Sequence, residues 1–190
     1  MKPAGARPRP FLPFRAVNRK GRAGYDAGLQ LHHLLPRQLR VAREFSRMFA
    51  AIGNERCRFE NFRENGLLLP CDERTALRMA MPLHRGPHRH YSELVIDRVG
   101  QIEADWSVRS LRDREAARVQ AHMRLGLLQR ALRRYLLGSG RRRLTLNRQD
   151  PFGTGADFSE LDALADALWG ATAASVQPMP VRERSSALAA

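Results

Sequence analysis

Apolar side chains recur at three- and four-residue steps over much of this chain, and the steps sort it into a series of helices around one short extended core. From Pro36 to about Ile52, Val41, Phe45, Met48, Phe49 and Ile52 follow that spacing, which predicts an amphipathic helix opened by Pro36 and stopped by Gly53-Asn54. Its other face carries Arg37, Arg40, Arg43 and Arg47. The run Leu67-Leu68-Leu69, between Asn65-Gly66 and Pro70, predicts a turn followed by a short buried strand. Asp72 is placed to cap a short helix running towards Met81, which Pro82 interrupts. Gly86-Pro87 restarts the chain, with Pro87 at the first turn of a helix through Tyr91, Leu94, Val95, Arg98 and Val99. A long helix is predicted over residues 108–137, with Ala121, Leu125, Leu128, Leu132, Tyr135 and Leu136 as its apolar stripe. Gly138-Ser139-Gly140 ends it, and Arg141-Arg142-Arg143 suits the negative end of its dipole. A last helix starts near Asp157, which with Glu160 has capping-box spacing, and buries Phe158, Leu161, Leu164, Ala165, Leu168 and Trp169.

These elements make a mostly α, small α+β protein. Residues 1–24, rich in Pro, Arg and Gly, cannot bury enough apolar surface to order alone and are expected to form a mobile basic arm, either solvated or laid on a nucleic-acid backbone. Residues 25–105 are the expected core, 106–170 a helical extension packed on it, and 171–190 a frayed tail.

Charge changes the picture. Over 190 residues the formal net charge is +14, with a pI near 11.4, which favours a polyanionic partner. Most of that charge is arginine, whose planar fork suits phosphate. The two cysteines, Cys57 and Cys71, are too few for a disulfide scaffold and fit a reducing compartment. Nothing approaches the roughly 20 apolar residues that span a bilayer, so no membrane partner is expected. The basic N-terminus lacks the apolar stretch of a secretory signal, which makes a cytoplasmic location the default and leaves export by another route open.

Five of the six histidines fall in two places, His32-His33 and His84-Arg85-Gly86-Pro87-His88-Arg89-His90. Neutral imidazole is both a common metal ligand and a proton carrier near neutral pH. His84 and His88, four residues apart across a Gly-Pro bend, can converge on one cation. A third nitrogen from His32 or His33 would leave a coordination position open, as a catalytic site requires. Neighbours in an extended segment point to opposite sides, so one of the pair can face the metal while the other faces water or substrate. Asn65 is a candidate to hold the ring of such a base in one tautomer. Arg85 and Arg89 either clamp phosphate or face solvent, and His90 is a rival ligand or a phosphate contact.

Three blocks together, His32-His33-Leu34-Leu35-Pro36, Asn65-Gly66-Leu67-Leu68-Leu69-Pro70 and His84-Arg85-Gly86-Pro87-His88 with Tyr91, resemble the AHH nuclease family. That family is a branch of the HNH/endonuclease VII superfamily with a ββα-metal core of two strands and a helix, and its members often serve as modules of bacterial polymorphic toxins. The resemblance covers about residues 28–100. It implies a metal-dependent DNase in which His32, His84 and His88 bind the metal, His33 is the general base and Asn65 orients it. It departs from the family pattern at Leu31, where alanine is usual, and in the additional His90.

Zinc is the expected ion from the all-histidine set, with magnesium, manganese or nickel left open. The expected partner is DNA, contacted through Arg37, Arg40, Arg85, Arg89 and His90 with little sequence preference; RNA is left open. The toxin resemblance also points to an immunity-type inhibitor protein, and the oligomeric state is not legible. The competing reading is a non-catalytic nucleic-acid-binding protein whose structural zinc is closed by Cys71, His84, His88 and one upstream histidine.

Overall fold

The computed structural model describes residues 10–53, 55–86, 88–138, 146, 150 and 151. Two strands, β1 (Leu29–His33) and β2 (Gly66–Pro70), pair antiparallel with Leu29 opposite Pro70 and His33 opposite Gly66. Between them the chain makes two short 3-10 turns (Arg37–Arg40 and Arg43–Phe45), helix α1 (Ser46–Ile52) and the single-turn helix α2 (Phe62–Asn65). Helix α3 (Glu73–Met79) follows β2, and two long helices, α4 (Arg89–Ser110) and α5 (Arg114–Leu137), complete the described fold. The mostly α, α+β class expected from the pattern is the one observed.

A two-stranded ribbon is marginal by itself in water. Here it is held by one continuous core in which Leu34, Leu35, Leu39, Leu67 and Leu69 pack with Tyr91, Val95, Val99, Leu125 and Leu132. Helices α4 and α5 are joined by the short turn at residues 111–113 and pack along each other as a helical hairpin. No described helix is long and apolar enough to cross a membrane.

Several elements differ from expectation. The predicted helix from Pro36 to Ile52 is broken, with Ala42 extended at φ −71°, ψ 120°. Leu39 and Phe45 are six residues apart, about 240° around a regular helix, yet both are buried. The break lets both reach the core and leaves Val41, expected on the apolar stripe, 82% exposed. The predicted helix over 108–137 starts six residues late. Residues 108–110 belong to α4, and Asp113 caps α5 by accepting a hydrogen bond from the Ala116 amide. Asp72 does cap α3, through the Thr75 amide, but α3 stops at Met79 because Ala80 turns left-handed (φ 51°). Asn65 closes α2 instead of sitting in a turn.

Part of the segment expected to be a mobile arm is built into the fold. Leu12 donates its amide to Asn61 Oδ1 and accepts from the Phe62 amide, and Pro13 bridges to Asn61. Asn18 ties the segment to the start of β1, donating to the carbonyls of Asp26 and Leu29 and accepting from the Asp26 amide. Phe14 is buried as a result. Pro87, residues 139–145, the predicted helix at 157–169 and the tail at 171–190 lie outside the described residues.

Gly66 shows how tightly β2 is set. A β-carbon there would stand 2.1 Å from Cδ2 of Phe62, whose ring packs edge-on against Phe14. We expect Gly66→Ala to lower unfolding free energy by about 1–3 kcal/mol, the usual cost of overpacking, read as the urea midpoint. An unchanged midpoint would show that Phe62 swings aside freely.

Candidate metal centre

Strand β1 alternates its side chains, so its last two residues take opposite sides. His32, 2% exposed, points inward to His84 and His88, with ring centroids 4.9 and 5.2 Å away; those two lie 4.7 Å apart. His84 precedes α4 on a segment pinned by its own amide to the Pro70 carbonyl, and His88 is the residue that opens α4. Tyr91, one turn into α4, lies 4.9 Å from His32 and donates its hydroxyl to the Leu34 carbonyl at 2.7 Å. It is buried and walls the histidine cluster.

One potential ligand atom from each of His32, His84 and His88 lies within 4.8 Å of the others. Both ring nitrogens of His32, and Nδ1 of His84 and of His88, are buried without a hydrogen-bond partner. An orphaned buried polar atom costs about 1–3 kcal/mol. Burial holds the His32 pKa well below the usual histidine value, and the neighbouring His84, His88 and His33 lower it further. Burial, then His88, brings His84 down to about 4. His88 is also lowered by burial, against a raising hydrogen bond with the Gly86 backbone. Three neutral imidazoles with converging lone pairs fit a divalent cation, and a set of three leaves room for a further ligand.

Among the described residues no cysteine joins this group. Cys71 donates its thiol to the Ala27 carbonyl, and Cys57 is buried in the core, which pushes its thiol up to about 12. His90 is not in the cluster either. It is exposed on α4 and faces Glu93 at 3.6 Å.

On the other side of β1, His33 lies face to face with Phe14, ring centroids 3.8 Å apart and planes within 3°. Its Nε2 is buried without a partner. Burial lowers its pKa, Glu60 opposes that, and Arg37 adds to it. Arg37 and Arg40 both reach Glu60, Arg40 at 2.6 Å. Arg85 and Arg89 are exposed beside the cluster. Phe14 is the residue that sequence reasoning missed, because nothing in its Pro- and Arg-rich surroundings announces order.

Asn65 is completely buried, and its amide is fully used. Oδ1 accepts from the Leu35 amide at 2.7 Å and from Gln129 at 3.2 Å; Nδ2 donates to the carbonyls of Leu35 and Phe59, both at 3.1 Å. Its own carbonyl accepts from the Leu34 amide at 2.8 Å. With both acceptor sites and both N–H groups engaged, Asn65 reaches the histidine pair through the backbone that follows it, not through the His33 ring.

The model of one family, a nuclease family of the HNH/ENDO VII superfamily with conserved AHH, matches residues 13–130, more than half of the chain. No curated protein and no solved structure matches it. The matched span holds Phe14, both histidine groups and Gln129.

Two outcomes are expected of this centre. By calorimetry, His32→Ala, His84→Ala and His88→Ala should each weaken zinc binding by more than about 100-fold, the upper range for losing an outer-sphere partner, while His90→Ala leaves it intact. In metal-free protein the folded imidazoles resist protonation while the unfolded chain takes up protons near its ordinary value of about 6.5. The unfolded state therefore binds more protons below that value, and stability falls with pH. The urea midpoint should drop from about pH 6.5 down to about 4, the value for His84, and drop less in His84→Gln. A flat profile would mean the rings are not buried as described.

Proposed function

The chain belongs to the AHH nuclease family, and from that premise we propose that it is a metal-dependent endonuclease hydrolysing DNA phosphodiester bonds with little sequence preference. The observation that carries this reading is the set of buried, unpartnered nitrogens on His32, His84 and His88. That set is costly in a protein that binds no cation and useful in one that does. Zinc suits three neutral nitrogens best, and magnesium, manganese and nickel are the alternatives. A structural zinc with four protein ligands is the weaker reading, since neither cysteine is near the cluster.

A divalent ion held there supplies Lewis-acid polarisation of a phosphoryl oxygen and positive charge for the departing oxygen. The chain's own residues supply the rest. His33, kept neutral near pH 7 by burial, is the general base: a water loses its proton to an imidazole nitrogen as its oxygen bonds to phosphorus. The P–O bond opposite breaks, and the departing oxygen is protonated from solvent. Phe14 covers one face of His33 and fixes the ring plane, so the nitrogen's aim survives between turnovers. Asn65 is a positioning residue: by fixing the Leu34 and Leu35 backbone it sets where β1 ends, and so the orientation of both histidines. Arg37, Arg40, Arg85, Arg89 and His90 are exposed or half-exposed around the centre and are proposed to hold phosphates through charge-assisted contacts.

Supercoiled plasmid, linear single-stranded DNA and RNA, each incubated with and without zinc or magnesium and with chelator, test the assignment of substrate. Nicking that chelator stops is expected; folded, metal-loaded protein that cuts none of them would overturn it. His33→Ala should cost about 10²- to 10⁴-fold in rate while zinc affinity stays near wild type. Parallel loss of metal would reassign His33 as a ligand. Phe14→Ala should lower kcat more than it raises KM, with Phe14→Tyr restoring most of the rate.

A further inference from the structure

A cleft of about 530 Å³ opens between α5 and the segment that leads into α2. Its walls include Arg56, Arg58, Arg63 and Arg130, with Gly126 on the α5 side. Arg58 is paired with Glu64, and Arg56 lies in the field of Glu115, a carboxylate that Arg118 already holds. Among the described residues no carboxylate forms an ion pair with Arg56, Arg63 or Arg130. Like charges gathered without paired counter-ions repel, so three such guanidinium groups around one concavity favour an anion. The walls are built, not incidental. His122 on α5 fixes the segment through the Arg56 carbonyl at 3.1 Å. Arg133, half-buried, donates to the carbonyls of Arg63 and Glu64 at the end of α2. Gly126 lies inside a long helix, where glycine costs about 1 kcal/mol relative to alanine; the space a side chain would take there is open to 3.6 Å from Arg130.

The cleft is tied to the centre through one chain segment and one hydrogen bond. Arg58 and Arg63 line it, and the stretch between them carries Glu60, which acts on His33, and Phe62, which packs on Phe14. Gln129 lines the cleft and donates to Asn65 Oδ1. Successive phosphates of one DNA strand advance about 3.4 Å along the axis, so a bound backbone presents a row of phosphates on either side of the cleaved one.

We propose that Arg56, Arg63 and Arg130 form a phosphate-binding cleft for the nucleic-acid backbone flanking the cleaved bond. It rests on the nuclease reading above and adds a site that reading does not contain. The cleft positions substrate and takes no part in bond breaking.

The test uses the whole chain with chelator present, so that no cutting occurs, and a fluorescein-labelled 20-base-pair duplex read by anisotropy between 50 and 200 mM KCl. The triple variant Arg56→Gln/Arg63→Gln/Arg130→Gln should flatten the plot of log K against log salt by about 0.9 for each phosphate it no longer neutralises, hence by about 2 to 3. Lys20→Gln/Arg74→Gln/Arg78→Gln removes the same charge around α3 and Asp26, where no residue lines the cleft, and its slope should stay near wild type. Gly126→Phe, which fills the cleft without changing charge, should weaken binding as the arginine triple does. Equal flattening by both triples, with Gly126→Phe silent, would overturn the cleft while leaving the nuclease reading standing. A wild-type chain that does not bind the duplex at all would remove both.

Discussion

The placing of both histidines that end β1 depends on how the backbone is held just after them. β1 and β2 stop pairing at His33 and Gly66, but the ladder does not fray there. Asn65 extends it by one carbonyl and one side-chain amide, closing on Leu34 and then on both polar groups of Leu35. Leu34, Leu35 and Leu39 bury completely beyond that point. The two imidazoles are thus cantilevered from a fixed end, one on each side of the ribbon. A neutral amide suits this task because it donates and accepts at once; a carboxylate would leave two carbonyls without donors.

The centre itself is a balance of opposed preferences. Imidazoles are stabilised by water, and this fold removes it from three of them and sets their lone pairs against one another. Desolvation keeps them unprotonated, which is the state a metal demands. Tyr91 takes part in the same arrangement. Its ring excludes solvent beside His32 while its hydroxyl is occupied by Leu34, and burial pushes its pKa far above the usual phenol value, so it adds no competing charge.

Much of this was readable in the residues. The pair His32-His33 and the group His84 to His88 declared themselves by spacing and Asp72 by its capping chemistry, whereas Asp113 lay inside a longer helical pattern and was not read as a cap. What was not readable has specific causes. Periodicity assumes one continuous helix, and the extended Ala42 redirects Leu39 and Phe45 to the same core by breaking it. Val41 fitted the stripe and ended in solvent. Composition assumes that a Pro- and Arg-rich stretch stays unordered, yet the buried Asn61, at once the cap of α2 and the acceptor for Leu12, draws Phe14 onto His33. Such ties join residues distant in sequence and leave no local trace.

The Asn65–Gln129 hydrogen bond spans 64 residues, and the Tyr91–Leu34 bond spans 57. Contacts of such separation form late, because the entropy of closing a long loop is lost before the contact gives anything back. The imidazole cluster itself joins the end of β1 to the start of α4 and so waits on such closure. The site is therefore a product of the closed fold, and an unfolded chain keeps its positive charge but holds no assembled histidine cluster.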